Sequence, residues 1–353
     1  MNEQFDLQMM EKCLMLAIKG KGQVSPNPLV GSVVTYQGEI IGEGYHQTFG
    51  ESHAEVKAIH AVKNKDLLKE STVYVNLEPC AHFGKTPPCA DLLIRHNVKK
   101  VVIGCVDSFS EVSGRGIEKL KKAGIQVQVG VLEEKCLELN KRFFLFHKEK
   151  RPYIILKWAQ SEDRFLAPSA MPKGSPFWLS GEKSKTLVHR WRTEEDAIMV
   201  GTNTAVMDNP ALTARMWKGR NPVRIVLDRY LRIPREATLF DGSVLTFVFT
   251  EKEFPSSENL HFVKIPFGEA MIPSLLSFLY DKGIQSLIIE GGKVLLESFI
   301  DAQLWDEARV FTCPKHLGSG VLAPSFSYET HFEQSVGDDV LTIHKRAEKK
   351  NKS

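Results

Sequence analysis

The sequence predicts two consecutive α/β domains, and three observations carry that reading. Short apolar runs alternate with stretches of helical periodicity through residues 1–147, the pattern of a three-layer domain with a partly parallel sheet. Phe143-Phe144-Leu145-Phe146 then gives way to His147-Lys148-Glu149-Lys150-Arg151-Pro152, a shift from apolar to charged that meets a proline. Beyond it the alternation restarts at Tyr153, and 353 residues is the length of about two domains.

In the first half, Met10, Cys13, Leu14, Ala17 and Ile18 follow helical spacing, which Ser25-Pro26-Asn27-Pro28 ends. Residues 30–36 and 40–45 read as a strand pair around Gln37-Gly38. Residues 54–62 read as a helix. Strands are expected over 73–77, 101–105 and 127–131, helices near 90–96 and 116–123, and one closing helix over 132–147. In the second half, strands are expected over 153–158, 197–200, 223–227, 244–249, 286–289 and 308–311, with helices near 182–192, 270–282 and 293–300. The basic stretch 346–353 reads as a solvated tail.

Bulk properties narrow the function. Lys and Arg number 46 against 43 Asp and Glu, a net charge of +3, so neither nucleic acid nor an anionic membrane surface is an expected partner. No run of about eighteen apolar residues marks a membrane span, and the start of the chain lacks a signal-peptide pattern. The six cysteines are sparse and unevenly spaced, which argues against a disulfide framework and makes the cytoplasm the expected compartment. Cys13, Cys105 and Cys136 sit in apolar contexts and read as core residues.

Two segments carry chemistry: His53-Ala54-Glu55, and Pro79-Cys80-Ala81-His82-Phe83-Gly84-Lys85-Thr86-Pro87-Pro88-Cys89. One imidazole and two thiolates supply three of zinc's four tetrahedral positions and leave one for water. A carboxylate two residues from the histidine, Glu55, can then move protons. Those are the parts of a hydrolytic zinc deaminase. Eight residues separate the cysteines, where the general deaminase signature has two, so the pattern is stretched. The competing readings are a structural zinc site with His82 as fourth ligand, or two buried thiols without metal.

Together with Ser25-Pro26-Asn27-Pro28-Leu29-Val30-Gly31 and Gly44-Tyr45-His46, the long Pro79-to-Cys89 segment resembles the bifunctional deaminase-reductase family of riboflavin biosynthesis. The resemblance implies a cytidine-deaminase-like zinc domain over 1–147. It also implies that Asn27, His46, Lys85 and Asp107 hold the pyrimidine or its phosphate. Turn chemistry for Asn27 and surface exposure for His46 and Lys85 are the plainer alternatives. One departure stands out: the family's Asp-Pro-Asn-Pro is here Asp107-Ser108-Phe109-Ser110.

The second half has no Gly-x-Gly-x-x-Gly fingerprint; it offers Glu290-Gly291-Gly292-Lys293 at a strand-to-helix turn, where backbone N–H groups can approach a phosphate. It resembles the reductase domain of the same family, related in fold to dihydrofolate reductase. The matching pieces are Lys157-Trp158-Ala159-Gln160-Ser161, Trp178, Arg192, Gly201-Thr202-Asn203-Thr204, Asp208-Asn209-Pro210-Ala211-Leu212-Thr213 and Glu290-Gly291-Gly292. The resemblance implies an NADPH-dependent reductase over 151–345. Gln160, Trp178, Thr204, Asp208, Gly292, Lys293, Val294 and Leu295 would lie at the cofactor. Arg192, Leu212, Arg215 and Glu290 would lie at the ribose phosphate, and Lys157 near the reacting sugar. Two departures appear: Ser161-Glu162-Asp163-Arg164 replaces the family's Ser-Leu-Asp-Gly, and Pro176 replaces a serine.

The expected activity is therefore twofold. Zinc-activated water removes the 2-amino group of 2,5-diamino-6-ribosylamino-4(3H)-pyrimidinone 5′-phosphate. NADPH then reduces the ribosyl chain of 5-amino-6-(5-phosphoribosylamino)uracil to ribityl. The family implies homo-oligomers. The rival readings are a deaminase with a degenerate reductase domain, an RNA-base deaminase that would show a basic, aromatic-lined surface, and a non-catalytic zinc-stabilised protein.

Overall fold

The computed structural model describes residues 3–81, 87–107, 114–169, 177–325 and 329–346. The chain divides into two compact units, Met1–Lys150 and Arg151–Ser353.

In the first unit, helix α1 (Glu3–Ala17) precedes the hairpin β1 (Gly31–Tyr36) and β2 (Glu39–Tyr45), and then α2 (Ala54–Ala61). There follow β3 (Thr72–Leu77), α3 (Cys89–Arg95), β4 (Lys100–Cys105), α4 (Arg115–Lys122), β5 (Gln126–Val129), α5 (Glu133–Leu139) and α6 (Lys141–Glu149). The strands order as β2-β1-β3-β4-β5. β1 runs antiparallel to both neighbours, and β3, β4 and β5 are parallel. Strand residues alternate between two cores. Val73, Val75, Val101 and Ile103 pack with Ala58, Leu93 and Leu120 from α2, α3 and α4. Tyr74 and Val102 pack with Met10 and Cys13 of α1 and Cys136 of α5 on the other face. This is the three-layer arrangement that the alternation predicts.

Residues 132–147 are not one helix. The chain breaks at Asn140, whose side chain accepts from the Leu29 N–H at 2.8 Å and donates to the Leu29 carbonyl at 3.0 Å.

The second unit holds β6 (Tyr153–Ser161), β7 (Phe165–Pro168), α7 (Glu182–Glu194), β8 (Ala197–Gly201), α8 (Thr202–Asp208), β9 (Val223–Leu227), β10 (Thr246–Thr250) and β11 (Leu260–Lys264). It continues with α9 (Met271–Asp281), β12 (Ser286–Glu290), α10 (Lys293–Asp301), β13 (Glu307–Cys313), β14 (Gly320–Leu322), β15 (Glu329–Val336) and β16 (Asp339–Lys345). Nine strands form one sheet, β11-β10-β9-β8-β12-β6-β13-β16-β15, parallel from β11 to β13 and antiparallel beyond. Ile154, Leu156, Met199 and Leu287 face α9 and α10, whose Leu275, Leu296 and Phe299 are fully buried. β14 pairs with β7 apart from the main sheet. The expected solvated tail starts later than residue 346: Arg346 donates to the Gln303 carbonyl, and residues 347–353 lie outside the described residues.

Among the described residues, no helix is long and apolar enough to cross a membrane.

Candidate active sites

The first site sits at the carboxyl ends of β3 and β4, where α/β sheets place ligands. Local packing brings the helix that carries His53 and Glu55 there. A Cβ on Gly42 of β2 would lie 2.4 Å from the Ala58 carbonyl oxygen, so only glycine lets α2 lie directly on the strand. His53 caps that helix, and Glu55 is in its first turn. Cys80 follows β3 through Pro79, and Cys89 opens α3.

His53 Nδ1 lies 3.3 Å from Cys89 Sγ and 3.6 Å from Cys80 Sγ, and all three ligand atoms fall within 4.8 Å of one another. Tetrahedral zinc with Zn–N of about 2.0 Å and Zn–S of about 2.3 Å places such a pair about 3.5 Å apart. The residues present therefore fit the ion. Interaction with Cys89 lowers the Cys80 thiol, and interaction with Cys80 together with burial raises Cys89. The buried Glu55, 3% exposed, is pushed up to about 7 by burial and then by Cys80, within reach of either proton transfer near neutrality.

His46 is buried rather than on the surface, at 2% exposure. Its Nδ1 faces the Ser52 carbonyl at 3.3 Å and its Nε2 the Asn27 amide nitrogen at 3.0 Å. A neutral imidazole satisfies both: Nδ1–H donates to Ser52, and Nε2 accepts from Asn27. Burial lowers the pKa of His46 and so favours that form. The contact also turns the Asn27 amide nitrogen inward and leaves its oxygen for another donor. Asn76, fully buried, accepts from the Gly31 N–H and donates to the Leu29 carbonyl, so Asn76 and Asn140 together pin residues 29–31. Asp107 is buried at the end of β4. Lys85, His82 and Phe109 lie outside the described residues.

In the second unit the strand register aligns Glu290 of β12, Lys157 of β6 and Arg309 of β13 in one row. Arg192, from α7, donates to Glu290 Oε2 at 2.8 Å and to the Thr213 carbonyl at 3.0 Å; Lys157 Nζ lies 4.0 Å from the same Glu290 oxygen. This is no surface ion pair, since Arg192 is 9% exposed. Burial works to raise the Glu290 carboxyl, but Arg192 and then Lys157 outweigh it and hold it at about 2. Burial lowers the Lys157 ammonium. Among the described residues, Glu290 Oε1 and Arg192 Nε are buried without a hydrogen-bond partner.

The remaining second-unit residues divide. Gly292 N–H donates to Thr204 Oγ1 at 3.1 Å, joining the turns after β12 and β8. Asp208 is exposed at its surface, and partial desolvation by its neighbours raises its carboxyl. Trp178 is half exposed, with Lys185 Nζ 4.2 Å from its ring centroid. Lys293 pairs with Glu297, and Val294 is exposed. The Leu295 side chain belongs to the core and packs against the turn, where a Cβ on Gly291 would lie 2.9 Å from its Cδ2. Gln160 accepts from Trp158 Nε1 and donates to Thr312 Oγ1. Leu212 is buried and Arg215 exposed. Arg164 adopts φ +65°, the left-handed conformation that glycine enters freely. Asp163 holds that turn, accepting from Ser161 Oγ and from the N–H groups of Leu317 and Gly318. The loop thus keeps a glycine's backbone shape without the glycine. Pro176 lies outside the described residues.

Sequence reading misses Asn76, Asn140 and His189. His189, one helical turn before Arg192, is 4% exposed, and burial with the charges of Arg192 and Arg215 holds it at about 4. Its i, i+3 spacing to Arg192 was the available signal.

A zinc-binding deaminase fold followed by a reductase fold defines a two-domain class of nucleotide-processing enzyme. Residues 3–105 match the cytidine and deoxycytidylate deaminase zinc-binding region, and residues 152–336 the RibD C-terminal domain. The chain is 39% identical to the riboflavin biosynthesis protein RibD of Aquifex aeolicus over 98% of its own length and all of that protein's. It is 35% identical to Escherichia coli RibD, covering 88% of each chain. The crystal structure of a Thermotoga maritima diaminohydroxyphosphoribosylaminopyrimidine deaminase/5-amino-6-(5-phosphoribosylamino)uracil reductase matches with TM-score 0.89 at 35% identity, covering 98% of this chain and 99% of that one. Acinetobacter baumannii RibD matches with TM-score 0.87 at 30% identity, covering 98% and 99%. The chain belongs to the RibD family of riboflavin biosynthesis proteins.

Proposed function

We propose that this chain carries out two successive steps on one pyrimidine nucleotide. The first unit removes the 2-amino group of 2,5-diamino-6-ribosylamino-4(3H)-pyrimidinone 5′-phosphate as ammonia. The second reduces the ribosyl chain of the resulting 5-amino-6-(5-phosphoribosylamino)uracil to ribityl. The observation that carries the reading is the His53, Cys80 and Cys89 triangle with buried Glu55 beside it.

His53, Cys80 and Cys89 would hold zinc, which would supply the Lewis acidity that makes water a nucleophile near neutral pH. Glu55 takes a proton from the attacking water and returns one to the leaving amine. Asn27, His46, Lys85 and Asp107 hold the pyrimidine and its phosphate. In the second unit NADPH supplies the hydride. Thr204, Asp208, Trp178, Gln160 and the Gly292–Leu295 turn line its site. Arg192 and Arg215 suit the substrate phosphate, because guanidinium stays charged and pairs in a fork. Glu290, which only accepts, suits the ribosyl hydroxyls, and Lys157 donates toward the reacting sugar. Leu212 packs at the same site.

Cytoplasmic placement suits the cysteine chemistry, with two thiols in the triangle and four buried separately from it. A homo-oligomer is supported by the family resemblance, and light scattering tests it. The activity test supplies the diaminopyrimidine nucleotide and NADPH, then follows ammonia and NADPH absorbance together. Both signals are expected. Ammonia without NADPH loss leaves a deaminase alone and refutes the two-step reading.

A further inference from the structure

Glu78, the last residue before Pro79-Cys80, is 4% exposed and neither a zinc ligand nor a reactant in the proposed chemistry. Its carboxylate accepts four backbone N–H groups. Oε2 takes those of Asp107 at 3.2 Å and Gly114 at 3.1 Å; Oε1 takes those of Gly116 at 2.9 Å and Ile117 at 3.2 Å. That is the full acceptor capacity of a carboxylate. Its own N–H donates to the Cys105 carbonyl at 3.0 Å. The chain then packs again on the same elements: a Cβ on Gly116 would lie 2.1 Å from the Pro79 carbonyl oxygen. One side chain therefore fixes the end of β4, the start of α4, and the approach to a zinc ligand.

We infer that Glu78 is a positioning residue of the deaminase, setting the distance between the metal wall at Cys80 and the substrate wall at Asp107. This rests on the reading of Asp107 as a substrate contact. Both walls leave parallel strands at the same edge; Glu78 stands two residues before Cys80 in the chain, and its carboxylate holds the backbone of Asp107 and of the start of α4. Displacement of a contact by about 1 Å can cost on the order of a hundredfold in rate. Glu78→Gln keeps the shape but can satisfy only one oxygen's pair of donors. Its amide nitrogen meets the other pair.

The test is steady-state deamination by the full zinc-loaded chain carrying Glu78→Gln, Glu78→Asp, Asp107→Asn or the Glu78→Gln/Asp107→Asn pair. Zinc content and reductase turnover are measured on the same samples, the latter controlling for folded protein. Glu78→Gln is expected to retain one zinc and full reductase turnover while KM for the diaminopyrimidine nucleotide rises about tenfold or more. Glu78→Asp recovers part of that rise, and the double variant is no worse than Asp107→Asn alone. An unchanged KM in Glu78→Gln beside a raised KM in Asp107→Asn overturns the inference and leaves Asp107 as a contact. An unchanged KM in Asp107→Asn overturns the reading of Asp107 and the inference with it. Zinc loss from both Glu78 variants also overturns it, since the carboxylate then serves the metal loop alone.

Discussion

Replacing Glu290 by glutamine keeps the shape of the side chain and removes the charge that Arg192 and Lys157 share. The magnitude follows from the carboxyl itself. It is held at about 2 against an ordinary 4.5, a gap of about 2.5 pH units, which is about 3 kcal/mol at 1.36 kcal/mol per unit. The known cost of breaking a buried pair, about 3–5 kcal/mol, agrees. Because the folded carboxyl lies below its unfolded value, the stabilisation is complete above pH ~4.5 and is lost as pH falls through ~2. By the same linkage roughly half of it remains at pH 3. Urea unfolding followed by tryptophan fluorescence isolates the relevant unit, since all 5 tryptophans lie beyond residue 150. Glu290→Gln is expected to lower stability by about 3 kcal/mol at pH 7, with the difference from wild type roughly halved by pH 3. A variant within about 1 kcal/mol of wild type at pH 7, or a difference that holds constant on acidification, refutes the shared-charge reasoning.

Three other perturbations have defined outcomes. Glu55→Gln retains zinc by elemental analysis while kcat for ammonia release falls about 10²–10⁴-fold; undiminished turnover removes Glu55 from proton transfer. Gly42→Ala forces α2 away from β2 and is expected to cost about 1–3 kcal/mol, with weakened zinc retention on dialysis; unchanged zinc affinity argues that α2 can shift without moving His53. Arg164→Gly relieves a left-handed residue at about 1 kcal/mol, partly offset by glycine's greater unfolded freedom. A calorimetric Tm rise of about 1–2 °C is expected, and a fall shows that the Arg164 side chain contributes more than its backbone strain removes.

Much of both units was legible because the buried parallel strands are short apolar runs: Val73 to Leu77, Val101 to Cys105 and Leu287 to Ile289 all sit where apolarity places them. The elements missed are polar or peripheral. β15, Glu329–Val336, is an edge strand with charged and polar residues, and edge strands carry little apolar signal. β11 is likewise at an edge and only half-buried. The split at Asn140 was illegible because its cause is a long-range hydrogen bond to Leu29, 111 residues away. At the sites, His53, Glu55 and the two cysteines were readable from residue chemistry. The Arg192–Glu290–Lys157 set was not, because three elements bring it together and no local spacing announces it. Glu78 carries no sequence signal of its own; only the backbone groups that converge on its carboxylate distinguish it.

The tie between Asn140 and Leu29 links the end of the first unit to the segment that carries Asn27. The region shared with the wider deaminase family ends at residue 105, and it already contains His53, Glu55, Cys80 and Cys89. A fragment ending there, or anywhere short of residue 140, carries every proposed metal ligand and keeps the Asn76 bond to the Leu29 carbonyl, but leaves the Leu29 N–H, next door but one to Asn27, without its Asn140 acceptor. During synthesis the metal residues emerge long before that acceptor. The Leu29 N–H therefore meets its acceptor only when the residue between α5 and α6 has been made.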